Sequence, residues 1–192
     1  VDRTVDLVCE RGYTNVILEI ANEVMLGHYH HEILKPARVA DLIERARRGA
    51  QDRHGRRLLV STSEAALNNR KQWTDEEIDR VFSISDGVFI HGGDGIDHGA
   101  VGDLTLVAQK IDDLRARAWY RARPRPIIGN EFNVPATFEA AVSRGVSAGL
   151  HSTPYLQTMW PPRWGVWEND ILWFFQRVRD LTGAPGTPGI AR

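Results

Sequence analysis

Two glutamates set far apart in the chain are the residues whose type and placing could do chemistry. Asn15 to Val24, NVILEIANEV, is an apolar run in a charged neighbourhood that stops at Asn22-Glu23, and Pro126 to Phe132, PIIGNEF, repeats the plan around Glu131. Short apolar runs bounded in this way read as buried strands. Two strands that each deliver a carboxylate at the carboxyl end point to the mouth of an α/β barrel. There, one protonated carboxyl can protonate a leaving oxygen while an ionised partner catches or stabilises a cationic carbon, the division of labour that glycoside cleavage requires. The two roles need different surroundings, because burial or a nearby charge must raise the pKa of the acid and hydrogen bonds must keep its partner ionised. A lone Asn-Glu at a strand end commonly just opens a solvated loop, so the matched pair and the Glu19 spacing carry the reading. Glu19 shares strand parity with Glu23, and a charge pointing inward there needs a partner.

The elements that must position the pair alternate along the chain. Val1 to Arg11 reads as a helix that Gly12 stops, and Pro36 to Gly49 as an amphipathic helix with Val39, Leu42, Ile43 and Ala46 on one face. Arg57 to Ser61 is a strand. Thr74-Asp75-Glu76-Glu77 has capping-box spacing and opens a helix that buries Ile78, Val81 and Phe82. Asp86 to His91 is the next strand, and a glycine-rich turn leads to a long helix with Leu104, Val107, Ala108, Ile111 and Leu114 on one side. After the Glu131 strand come a helix from Thr137 to Arg144, a strand from Val146 to His151 and a final helix from Glu168 to Thr182. This is the βα rhythm of a parallel sheet with right-handed crossovers.

At Glu23 and Glu131 the chain resembles the clan A glycoside hydrolases, cellulase-like (β/α)8 barrels, in particular family 5. Glu19-Ile20-Ala21-Asn22-Glu23 resembles the strand-four motif that ends on the clan's acid/base, with Val24 where a Pro is usual. Pro126 to Phe132 resembles the strand-seven motif that ends on the nucleophile, with Asn133 in place of a glycine. The resemblance implies that Glu23 is the acid/base, Glu131 the nucleophile, and Asn22 a donor to the sugar 2-hydroxyl. His91 then falls at the end of strand six, where the clan often carries a His two residues before a Tyr; that Tyr is Gly93 here. The implied fold is an α/β (β/α)8 TIM-barrel type, N-terminally truncated to about five βα units, since a closed barrel needs about 250 residues. One domain would span residues 1–183, followed by a Gly/Pro-rich tail at 184–192. Unpaired sheet edges on such a fragment would favour self-association and weak or absent catalysis.

Other residues bear on the cleft. His91 and His151, at strand ends, are placed to line it, and Trp160 is a candidate for stacking on a sugar ring, ahead of Trp164 and Trp167. Trp119 and Trp173 belong to helix patterns and read as core. His28-Tyr29-His30-His31 contains an H-x-H, but in a loop, whereas a metal-dependent barrel would want it on the first strand. No metal and no cofactor are therefore expected. Asp94, Asp97 and His98 read as turn residues, and the glycine-rich loop fails the dinucleotide-binding spacing.

Composition removes other classes. A net charge of −1 gives no electrostatic reason to expect nucleic acid or an anionic membrane, and the dense arginines of 45–57 and 115–125 read as solvated helix faces and strand entries. The single cysteine, Cys9, excludes an internal disulfide. Because the chain opens on Val1 within a helix pattern, the natural N-terminus is expected upstream; localisation stays open, with a secreted or periplasmic setting compatible. The expected activity is retaining hydrolysis of β-linked oligo- or polysaccharides. A non-catalytic sugar-binding pseudo-enzyme is the alternative, because of Val24, Gly93 and Asn133, and a metal-dependent hydrolase ranks third.

Overall fold

The computed structural model describes residues 1–24, 29–64, 73–91, 104–132, 135–150 and 169–185. The chain divides into two compact units, Val1–Gly149 and Leu150–Arg192. The first unit contains α1 (Asp2–Glu10), β1 (Ile17–Glu19), a 3-10 turn (Glu32–Leu34), α2 (Pro36–His54), β2 (Leu59–Ser61) and α3 (Asp75–Ile84). It continues with β3 (Val88–His91), α4 (Leu104–Ala116), α5 (Ala118–Ala122), β4 (Ile127–Phe132), α6 (Pro135–Val142) and β5 (Ser147–Leu150). In the second, the described helix is α7 (Asn169–Thr182), closed by Gly183 at φ 65.

The helices form where periodicity and caps place them. α2 starts with Pro36 in its first turn, buries Val39, Ala40, Ile43, Ala46 and Ala50, and ends in a left-handed glycine cap. Gly55 there adopts φ 62, its N–H bonding Gln51 O and the Arg56 N–H bonding Ala50 O. α3 carries the expected capping box: the Glu77 N–H donates to Thr74 Oγ1 at 3.2 Å and the Thr74 N–H to Glu77 Oε2 at 2.9 Å. The helix after β3 is interrupted at Arg117, which is extended at φ −70, ψ 143. Its guanidinium reaches across to Asp75 at 2.7 Å and Asp79 at 2.6 Å on α3, so α5 starts as a separate turn.

The strands overturn the expected barrel. Among the described residues the five strands are three to six residues long and lie in two small parallel sheets, β1-β2 and β3-β4-β5. The α/β class stands, but neither a closed barrel nor a truncated (β/α)8 ring of about five units is formed. Where one strand was expected from Asn15 to Val24, ladder pairing covers only Ile17–Glu19 against Leu59–Ser61. Between β2 and β3 side chains displace much of the ladder. Asp86 Oδ2 accepts from the Val60 N–H at 3.0 Å, the Asp86 N–H returns to Val60 O at 2.9 Å, and Ser61 Oγ donates to Gly87 O at 2.7 Å. Only an isolated parallel bridge, Ser63 to Phe89, spans that seam. Five short strands so divided fall well short of the eight that close such a barrel.

The core lies between sheet and helices, with Val60, Val88, Ile90, Ile127 and Phe132 from the strands and Ile43, Val81, Phe82, Ile111 and Leu114 from the helices. Trp73 stacks on Phe82 with centroids 5.9 Å apart. Several arginines read as solvated are instead tied to backbone carbonyls. Arg125 Nη1, buried, donates to Phe82 O, Ser83 O and Ser85 O at 2.7, 2.8 and 2.6 Å, saturating carbonyls at the end of α3 that have no partner within the helix. Burial depresses its pKa, and the guanidinium stacks over Trp119 at 5.1 Å. No described helix is long and apolar enough to cross a membrane. Arg125→Ala strands three carbonyls at once and should cost about 3 kcal/mol; Thr74→Ala removes an exposed cap and should cost about 1 kcal/mol. Urea midpoints of the two variants would show that order, and equal midpoints would refute it.

Candidate active site

Every parallel strand of the first four turns its carboxyl end toward one edge, and the acidic residues collect there, as ligand sites do in open α/β sheets. Beyond β1 the chain stays tied to the segment that follows β2. The Ile20 N–H bonds Ser61 O at 2.9 Å, Ala21 O accepts from Thr62 Oγ1 at 2.8 Å, and the Val24 N–H bonds Ser63 O at 3.1 Å. Between these ties Glu23 adopts φ 45, left-handed backbone that a side chain larger than glycine takes up at a cost. Its N–H donates to Ser63 Oγ at 2.8 Å, which holds the turn.

The turn brings Glu23 to His91 and Glu131. Glu131 sits in β4, paired across the ladder with His91, where the register shifts between Ile90 and His91. Nδ1 of His91 lies 3.3 Å from Glu23 Oε1 and 3.5 Å from Glu131 Oε2. One oxygen of each carboxylate and a ring nitrogen all fall within 4.8 Å of one another. Neighbouring strands run about 4.8 Å apart, and Glu23, carried two strand positions from His91, reaches it from the left-handed turn that follows β1. The imidazole is 3% exposed while the side chains of Glu23 and Glu131 are 27% and 29% exposed, so a ligand meets the carboxylates and the histidine backs them. Buried Nε2 has no hydrogen-bond partner among the described residues. Nδ1 is therefore the ring nitrogen that faces the two carboxylates.

The other expected residues divide. Asn22 is exposed beside the pair, its Oδ1 accepting from Ser63 Oγ at 3.4 Å, which turns the amide NH2 into the donor a ligand can use. His151 and Trp160 lie outside the described residues, as do His28, Gly93, Asp94, Asp97, His98, Asn133, Trp164 and Trp167. His30 and His31 are exposed and belong to no metal-ligating cluster among the described residues. Glu19 Oε1 is buried with no hydrogen-bond partner among the described residues, so the ion pair expected for it is absent there.

Four contributors escaped the sequence reading: Ser63, Glu64, Lys110 and Tyr29. Ser63 and Glu64 continue a serine-rich stretch that looks like an ordinary loop. Lys110 lies three residues after Val107 and four before Leu114, on the apolar stripe of α4, and a lysine on that stripe was the available signal. Tyr29 donates its hydroxyl to Asn22 O. Burial is the main cause that raises its pKa, helped by the charges of Glu19 and Glu23. Two carboxylates and an imidazole are also donors that a divalent cation accepts. Nδ1 of His91 can donate to either carboxylate or, without its proton, join them around such a cation.

No protein-family model, curated protein or solved structure matches the chain.

The folded state favours the neutral Tyr29 phenol, so that group contributes stability in full below the ordinary value of 10.0 and loses it as pH rises from there through the raised value. In an ultraviolet titration the Tyr29→Phe difference should place this phenol above 10.0, and Glu23→Gln should move it part of the way back. A Tyr29 that titrates at its ordinary value would show that the Glu23 charge and the burial do not act on it.

Proposed function

We propose that this site hydrolyses β-linked oligo- or polysaccharides with retention of anomeric configuration. The observation that carries the reading is the approach of Glu23 and Glu131 carboxylate oxygens to within 4.8 Å. Retaining pairs stand about 5 to 5.5 Å apart, whereas inverting pairs stand about 6.5 to 9.5 Å apart to admit a water between them. Glu131 attacks the anomeric carbon while Glu23 gives its proton to the glycosidic oxygen; the bond to the aglycone breaks, the aglycone departs as an alcohol, and a glycosyl ester remains on Glu131. Glu23, now ionised, takes a proton from water, whose oxygen attacks the same carbon and frees Glu131. The two displacements restore the original configuration.

His91 fits both steps. Its one Nδ1 proton lies within reach of both carboxylates, and the negative charge moves from Glu131 to Glu23 as the ester forms. A donor held between them faces the charge at both ends of that transfer without having to move, which is how a preorganised dipole lowers a barrier. Asn22, with its amide NH2 turned outward, is placed to bond a sugar hydroxyl close to the reacting carbon. The chemistry uses no cofactor.

Glu131→Gln should abolish turnover on glycan substrates while leaving their binding measurable by calorimetry. Glu23→Gln should lower kcat by about 10² to 10⁴ on substrates with poor leaving groups. Proton NMR of the first product released should show the anomer of the substrate, and the opposite anomer would overturn the mechanism. Activity should persist after EDTA; loss that a divalent cation restores would favour the metal-dependent alternative, and binding without turnover by the unaltered chain would favour a sugar-binding role.

A further inference from the structure

We infer that the buried Glu64–Lys110 ion pair is a positioning device for this centre, gripping the His91 peptide on both sides so that Nδ1 stays between the two carboxylates. Lys110 and Glu64 are 1% and 0% exposed. Glu64 Oε1 accepts from Lys110 Nζ at 2.7 Å and from the His91 N–H at 3.1 Å, and the same Nζ donates to His91 O at 3.1 Å. An ordinary strand residue gives its N–H and C=O to neighbouring strands. At His91 the ladder shifts register, and an ammonium and a carboxylate hold both backbone groups.

The choice of charged groups is informative. A buried ion pair is commonly no more stabilising than apolar side chains of the same volume, so what this one adds over a packed core is direction. The ring it serves is buried, with Nε2 lacking a hydrogen-bond partner among the described residues and Nδ1 facing the two carboxylates. The ring therefore takes its place from its own peptide, and the peptide takes its place from Glu64 and Lys110. Both are positioning residues, acting through His91 rather than on substrate.

The test uses the full chain labelled with 15N-histidine and two double variants. E64L/K110M removes both charges and both grips, whereas E64Q/K110M returns an acceptor to the His91 N–H. Both should fold, judged by circular dichroism and a cooperative thermal transition. The first should lower kcat about 100-fold with KM changed less than about twofold, as expected when a reacting group is displaced by about 1 Å, and the second should recover about tenfold of that loss. The His91 ring 15N signals should move in the first variant and return toward their original positions in the second. A folded E64L/K110M with unchanged kcat and unchanged His91 signals overturns the inference. If neither variant folds, the unaltered chain decides: a slowly exchanging His91 amide and a single Nδ1–H tautomer support the clamp, and fast exchange or averaged tautomers refute it. The kcat arm rests on the glycosidase reading above and the NMR arm does not, so a chain without glycosidase activity would fail the first reading and leave this one decided by the spectra.

Discussion

A carboxylate and an ammonium sealed from water have to meet each other, because an unmatched charge at that depth costs several kcal/mol. Glu64 follows β2 and Lys110 lies in α4, so their meeting fixes the helix over the strand ends. The requirement fixes more than two residues. Glu64 continues the segment whose Ser61, Thr62 and Ser63 hold Ile20 to Val24, and its own N–H bonds Phe89 O at 3.2 Å on β3. Displacing the pair would loosen the Glu23 turn on one side and the His91 peptide on the other.

Elsewhere the same problem, backbone groups without a ladder or helix partner, is met by arginine. Arg56 reaches Cys9 O and Tyr13 O past the end of α1, Arg47 reaches Ile84 O at the end of α3, and Arg125 takes three carbonyls nearby. A planar guanidinium with five donors suits this work, since it can serve several acceptors and stays charged. Strands of three to six residues satisfy few of their own groups, and the side chains of Asp86, Ser61, Glu64 and Lys110 supply what a longer ladder would. The fold is thus built from short regular pieces joined by directed polar contacts.

That construction explains what could be read in the sequence. The helices were legible because period and caps are local: Pro36 opens α2 and Thr74 with Glu77 opens α3, although α2 runs past the expected end at Gly49 to His54, where Gly55 caps it. The strand positions and the convergence of Glu23, His91 and Glu131 were legible for a similar reason, since parallel βα units bring all strand ends to one edge. The barrel was not there to be read. Whether successive strands join into one ladder depends on groups such as Asp86, whose carboxylate takes the place of a backbone acceptor, and no periodic pattern marks such a substitution. Arginine runs looked like solvated faces because charge density alone does not say which guanidinium turns inward. Lys110 was the exception, a charge on an apolar stripe that announced a buried partner without naming Glu64.

The seam between the two sheets passes between the two carboxylates: Glu23 extends from the two-stranded sheet, and Glu131 with His91 belongs to the three-stranded one. The gap between Glu23 and Glu131 therefore spans this seam, which contacts of Asp86, Ser61 and Ser63 cross. In a continuous ladder that gap would be quantised by strand spacing. Here it depends on side-chain contacts at the seam, so substitutions there would change the separation of the two carboxylates while leaving both glutamates and the strands that carry them unchanged.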